Sequence, residues 1–349
     1  MFKKEADALP RLAITMGDPA GIGPEIILKA LLHPEVYELC VPVVYGDLAW
    51  MQRAAHALRL EQQVVSMQSN EAPGLSTVVV RQATQADLRA VQVGHLAAAA
   101  GQAAAECVLT AAKAAMAGET EALVTAPLNK EAIALGGYPY PGHTELLAEV
   151  THTPRYGMLL LAGPLRVVHV STHVSLREAI ARVQTPRILE CMRLGDQTCR
   201  DLGIANPRIA VAGLNPHAGE NGLFGTEEVE QIAPAIAQAR NEGLDAGGPY
   251  PPDTVFQRAA AGAFDLVVAM YHDQGHIPVK LHGFDSGVNV TIGLPIKRVS
   301  VDHGTAFDIA GQGIAREQSL LEAIRVAAQL VRASRAPSTR SQSDKGVVG

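Results

Sequence analysis

The sequence predicts an α/β protein built on a largely parallel β-sheet with helices on both of its faces. Three observations predict it. Apolar runs too short for helices recur along the chain, among them 11–16, 41–45, 122–125, 209–213 and 266–270. Longer stretches of helical character separate them, and alternating strand and helix is the pattern of a parallel sheet. Several runs stop abruptly at Gly, Asn, Asp or His, and open α/β sheets bind ligands just outside the carboxyl ends of their strands.

Bulk properties narrow the function. A chain of 349 residues holds one large or two medium domains with ample core. With 48% hydrophobic and 18% charged residues it reads as an ordinary globular protein. A net charge of −6 argues against a nucleic-acid surface, so any cationic site is local and suits a small anion. Cys40, Cys107, Cys191 and Cys199 have no CxxC spacing and read as buried thiols in a reducing compartment. The opening MFKKEADALP lacks the apolar core of a signal peptide. The Ala-rich run 93–117 contains His95, Gln102, Glu106 and Lys113, so it reads as a buried helix rather than a membrane span. The expectation is a cytoplasmic protein with no membrane or nucleic-acid partner.

The elements follow in order. Strand 11–16 enters Gly17-Asp18-Pro19-Ala20-Gly21-Ile22-Gly23-Pro24-Glu25, with a helix from about Pro24, where a missing N–H costs nothing. The loop is neither a Walker A loop nor GxGxxG. Strand 41–45, helix 48–58 and strand 75–81 come next, with 62–74 polar and irregular. A long helix near 93–116 leads to strand 122–125. Pro141-Gly142-His143-Thr144-Glu145 opens a helix, and His143 and Thr144 there suit an anion through side chains, free amides and dipole together. Strands 157–162 and 166–172 turn at Gly163-Pro164. Helices follow near 176–182 and 186–202, then strand 209–213 and a helix over 226–242. Asp253 precedes a helix as an N-cap or a further acid at the site. A last helix runs from about 317 to 333, and the Ser/Arg/Gln-rich tail 336–349 is expected to be disordered.

The stretch 269–289, AMYHDQGHIPVKLHGFDSGVN, concentrates the chemistry. An apolar run ends in His272-Asp273, with Lys280, Asn289 and Arg298 close behind. A lone His after a strand is more often a cap. Two further runs repeat the pattern, however, one leading to His173 and one to His217. Three strand ends each followed by His point to a three-imidazole site with an open position, the arrangement of a catalytic metal.

These motifs resemble a known family. GDPAGIGPEI and HGTAFDIAGQGIA are similar to the nucleotide-associated loops of isocitrate and isopropylmalate dehydrogenases. With PGHTE, STH, LNPHAGE, PPDTVF, YHDQG and GVNVTIGLPIKR, the chain resembles 4-hydroxythreonine-4-phosphate dehydrogenase over about residues 11–333. The resemblance implies an isocitrate/isopropylmalate dehydrogenase-like fold, two α/β/α domains with a cleft between them. Residues 8–135 with 290–335 would form the nucleotide domain and 136–289 the metal and substrate domain. It implies a homodimer whose sites take residues from both subunits. The divalent metal would lie on His173, His217 and His272, zinc by ligand type, with magnesium, cobalt or nickel as alternatives. A small anionic substrate would meet His143, Thr144, Lys280, Asn289 and Arg298, and NAD or NADP would lie near His303, Gly304, Asp308 and Gly311. Asp273, Asp253 and Lys280 are the choices for proton transfer or for orienting a histidine.

The expected reaction is metal-dependent oxidation of a secondary alcohol in a phosphorylated hydroxy acid, giving a β-keto acid that decarboxylates. His276-Ile277 resembles the paralogues that oxidise 4-phospho-D-threonate, 4-phospho-D-erythronate or a terephthalate-derived cis-dihydrodiol. Against the dihydrodiol stand His143-Thr144 and Asn289 to Arg298, the groups a phosphate needs. Two readings from other classes are a zinc hydrolase, which would turn over without nucleotide, and a non-catalytic binding protein, which would need no HGTA…DIAG loop.

Overall fold

The computed structural model describes residues 8–69, 71–283 and 286–335. Residues 1–7 and the tail 336–349 lie outside the described residues.

β1 (Arg11–Thr15) passes through the Gly-rich loop into α1 (Gly23–Ala30), which carries Pro24 in its first turn. α2 (Pro34–Leu39), β2 (Val41–Gly46) and α3 (Leu48–Ala57) follow, and Asp47 caps α3 by accepting the Trp50 amide at 2.7 Å. Next come β3 (Gln63–Ser66), β4 (Thr77–Gln82), the Ala-rich α4 (Ala98–Met116) and β5 (Ala122–Thr125). α5 (Lys130–Leu135) is capped by Asn129, and α6 (His143–Val150) starts at Gly142. β6 (Gly157–Ala162) and β7 (Leu165–His169) form the expected hairpin. After them run α7 (Leu176–Ala181), α8 (Thr185–Asp201), β8 (Arg208–Ala212), α9 (Ala233–Asn241), β9 (Asp245–Tyr250) and α10 (Val255–Ala260). β10 (Leu266–Ala269), α11 (His272–Gly283), β11 (Val288–Ile292), β12 (Lys297–Val301) and α12 (Gln318–Arg335) complete the described chain.

All the strands join one twelve-stranded sheet in the order β3-β4-β2-β1-β5-β12-β11-β6-β7-β10-β8-β9. Both wings are parallel, as alternating strand and helix predicts. The centre is antiparallel: β12 with β11, β11 with β6, and β6 with β7. The short connections 163–164 and 293–296 allow only hairpins there, since a parallel crossover needs a dozen residues or more. β12 returns the chain to β5 in the first wing, so the antiparallel patch joins the wings.

Four details depart from the sequence reading. The segment 62–74 holds a real strand, β3, too short and polar to be legible. β9 is built on DAGGPY, a composition depleted in strands, and it survives at the sheet edge. The long helix starts at Ala98 rather than 93, after Ala97 in extended backbone. The run from His272 is a helix, α11, despite Gly275 and Pro278 within it.

Candidate active site

A cavity of about 1200 Å³ lies over the antiparallel centre of the sheet. Its floor follows from strand register. Thr291 on β11 pairs with Arg298 on β12 and with Met158 on β6, and the pairing of Leu159 with Val168 brings Met158 level with His169 at the end of β7. Arg298 and His169 therefore mark two ends of one row of side chains. α6 begins on one side of the cavity and α11 walls the other.

The Arg298 end is built for an anion. The guanidinium is 2% exposed and bonds only hydroxyls: Thr125 at 2.7 and 3.1 Å and Thr291 at 2.9 Å. Among the described residues no carboxylate lies within ion-pair distance of it. Burial pulls its pKa down to about 9, against the weaker opposing effect of the Glu145 carboxylate. Nearby, His143 Nε2 and Asn289 Oδ1 are buried and have no hydrogen-bond partner. Burial, and after it the neighbouring Arg298, holds His143 well below the usual imidazole range. Thr144 and Lys130 also line the cavity. Unsatisfied buried groups of this kind are costly unless a ligand completes them.

The other end is a column of imidazoles. α11 presents His272, His276 and Lys280 to the cavity at helical spacing. His276 stacks on His272 with ring centroids 3.6 Å apart, and His169 lies 4.7 Å from His276. His173 stands 5.7 Å from His272. His272 Nδ1 is 2.7 Å from Asp273 Oδ1, which leaves Nε2 as the nitrogen open to a ligand. Burial, then the adjacent His272, lowers His276 to about 4. Only Gly275 allows His169 beneath α11, because a Cβ there would stand 2.3 Å from His169 Nε2. Lys280 reaches Asp302 at 3.7 Å, and burial raises Asp302 above the usual carboxylate range.

The structure thus gathers His143, Thr144, Lys280, Asn289, Arg298, His173 and His272 at one cavity, together with His303 and Gly304. It does not bring His217 there. His217 is exposed on a left-handed turn over His217–Asn221, where the buried Glu228 carboxylate accepts the Leu214 and Asn215 amides, both at 2.7 Å. Asp253 is exposed and is not among the residues that line the cavity. Asp308 is exposed outside both cavities, and Gly311 lines a second, smaller one. Among the described residues no three His, Cys, Asp or Glu side chains gather closely enough to hold a metal. Tested on donors, one chain offers a fitting pair, His173 and His272 with Asp273 behind it, and lacks the third. Sequence reasoning missed His169, Asp302, Thr125 and Thr291. The signals were a His inside the apolar run RVVHVST and the spacing of His272, His276 and Lys280 by four.

The chain matches the family described as Pyridoxal phosphate biosynthetic protein PdxA over residues 38–327. It is 49% identical over 330 residues to the D-threonate 4-phosphate dehydrogenase of Cupriavidus necator, covering 93% of this chain and 98% of that protein. A solved 4-hydroxythreonine-4-phosphate dehydrogenase from Klebsiella pneumoniae superposes with a TM-score of 0.85 at 44% identity, over 93% of this chain and 98% of that one. A terephthalate 1,2-cis-dihydrodiol dehydrogenase from Burkholderia xenovorans gives a TM-score of 0.66 at 34% identity, over 92% and 98%.

Proposed function

We propose, from the premise that the chain belongs to the family of the pyridoxal phosphate biosynthetic protein PdxA and is a dehydrogenase acting on a CH–OH donor, that it oxidises the secondary alcohol of a small phosphorylated hydroxy acid. The substrates named for its relatives, 4-hydroxythreonine 4-phosphate and D-threonate 4-phosphate, share a four-carbon acid with a terminal phosphate. The observation that carries this reading is Arg298, a buried cation bonded only to hydroxyls and facing the cavity. A phosphate supplies the missing counterion, and a planar guanidinium binds it through paired charge-assisted hydrogen bonds. Asn289, His143 and Thr144 surround the same place. D-threonate 4-phosphate stands as the second reading, favoured by the Cupriavidus relative.

NAD or NADP supplies the hydride acceptor, with His303 and Gly304 at the cavity edge to meet it. A divalent metal, zinc by donor type, would be held by His173 and His272 together with His217 of a second copy of the chain, and would add Lewis acidity toward the alcohol oxygen. Asp273, 2.7 Å from His272 Nδ1, would fix the tautomer that leaves Nε2 as the ligand nitrogen. Lys280, at ion-pair distance from Asp302, lines the cavity as a cation that would hold an anionic group of the substrate or a developing alkoxide by charge. The product is a β-keto acid, which loses carbon dioxide readily. Hydrolase and binding-protein readings give way to membership among dehydrogenases. Four buried cysteines with no disulfide suit a cytoplasmic enzyme.

Replacing Arg298 tests the reading. Arg298→Met is expected to lower kcat/KM by roughly 10²–10³-fold for a phosphorylated substrate, the scale of two lost charge-assisted hydrogen bonds. A loss below threefold in steady-state assays would remove the phosphate from Arg298.

A further inference from the structure

The segment between β8 and α9 carries His217 and lines neither cavity. Its backbone is strained. His217, Ala218, Gly219, Glu220 and Asn221 all take left-handed φ, from 45° to 79°. Four of the five are not glycine, and in this conformation a Cβ crowds the following carbonyl oxygen. A run of this kind persists only where its surroundings impose it, and such strain gathers at functional sites.

What imposes it here is one carboxylate. Glu228 is 3% exposed and opens the helical stretch that leads into α9. Its Oε1 accepts the Leu214 and Asn215 amides, both at 2.7 Å, and its Oε2 accepts the Asn215 side-chain amide at 2.9 Å. Gly219 packs on the same group from within the turn, where a Cβ would stand 2.6 Å from Oε2. The root of the turn is held from α11 as well. The buried Gln274 donates to the Gly213 carbonyl at 2.7 Å and accepts the Met270 amide at 2.6 Å. The turn that carries His217 is thus braced against the helix that carries His272.

His217 itself is exposed, with the Phe224 ring centroid 6.3 Å from its own. An exposed imidazole on a fixed turn suits a metal site outside its own chain, because a ligand on a loose loop has to be ordered at the moment of binding. We propose that Glu228 is the positioning residue for His217, holding the left-handed turn in the shape that presents the imidazole to the metal site of a second copy. The proposal rests on the reading that His217 completes that site from the second copy.

Glu228→Gln cannot keep all three bonds. Whichever way its amide turns, a donor meets either the two backbone amides or the Asn215 side chain. The intact variant protein, titrated with Co²⁺ alone and followed by visible absorbance, is expected to bind the metal roughly 10–100-fold more weakly, the range for groups that orient a metal ligand. Subunit exchange separates positioning from general damage, with His217→Ala mixed with His272→Ala as the reference pair. Glu228→Gln harms only the site that its own turn enters. It is therefore expected to recover activity with His272→Ala, whose turn is intact, and not with His217→Ala. Gly219→Ala presses on the same carboxylate from the turn. It is expected to show the same pattern, and it decides the matter where Glu228→Gln does not fold. Recovery with His217→Ala, recovery with neither partner, or Co²⁺ affinity within threefold of the parent overturns the positioning role, and an active reference pair then spares the shared-site reading. A reference pair that stays inactive, with mixed dimers confirmed by native mass spectrometry, overturns both.

Discussion

Asp18 shows what a single residue in the Gly-rich loop costs the fold. Its carboxyl is fully buried, one oxygen accepts the Ala20 amide at 2.9 Å, and the other has no partner. Burial raises its pKa from 3.8 to about 6. A carboxyl raised on folding binds its proton more tightly in the folded chain. Its contribution is therefore most favourable below pH 4 and is lost as pH rises from about 4 to about 6. The ceiling on that loss is about 3 kcal/mol, from 1.36 kcal/mol per pKa unit. Asp18→Asn keeps the shape and an acceptor for Ala20. It is expected to be more stable than the parent at pH 8 by roughly 1–3 kcal/mol and nearly equal at pH 4, by urea unfolding at both pH values. A parent that is the more stable at pH 8 would show that Asp18 is ionised without penalty. The sequence places Asp18 in a Gly-rich loop. It cannot show the burial, because Pro127, whose carbonyl accepts the Asp18 amide at 2.8 Å, lies more than a hundred positions away.

At the scale of the element, α11 decides the site. The residue types His272, Asp273 and Lys280 were legible, since an apolar run broke into them. That they share a helix was not, because Gly275 and Pro278 are poor helix formers. Gly275 is retained by packing: its missing Cβ makes room for His169 and for Val167, which it would otherwise meet at 2.8 Å. Gly275→Ala gains helix propensity of about 1 kcal/mol but overpacks this contact. A net loss of about 1–3 kcal/mol in urea unfolding is expected, with at least a tenfold drop in kcat/KM as α11 and its imidazoles are displaced. A variant within 0.5 kcal/mol of the parent and fully active would show that α11 rides free of β7. In the same way, β3 and β9 escape sequence reading because their strand character comes from sheet neighbours rather than from composition.

At the scale of the molecule, the antiparallel centre of the sheet brings Arg298, Asn289, His169 and α11 together from segments scattered over more than a hundred residues. The sequence carried the parallel wings and nearly all the residue types of the site. It could not carry the distances, and one chain leaves His217 apart from His173 and His272. His217 sits beside Leu223 and Phe224, 72% and 49% exposed, and Leu281 on the outer side of α11 is 84% exposed. Exposed apolar side chains of this size mark contact surfaces. A second copy that supplies His217 makes a sharp prediction. Mixing His217→Ala with His272→Ala, each inactive alone, is expected to restore activity on subunit exchange, because each mixed dimer then holds one site with both histidines intact. No recovery, with mixed dimers confirmed by native mass spectrometry, would place all three imidazoles in one chain or none in the site.

The central claim is the oxidation of a phosphorylated hydroxy acid. Its most direct test is NADH or NADPH formation by the purified protein with 4-hydroxythreonine 4-phosphate, D-threonate 4-phosphate, D-erythronate 4-phosphate and a terephthalate cis-dihydrodiol, each with and without a chelator. Chelator-sensitive turnover of a phosphorylated substrate is the expected result. Turnover of the dihydrodiol alone would contradict it and make the Arg298 end a carboxylate site.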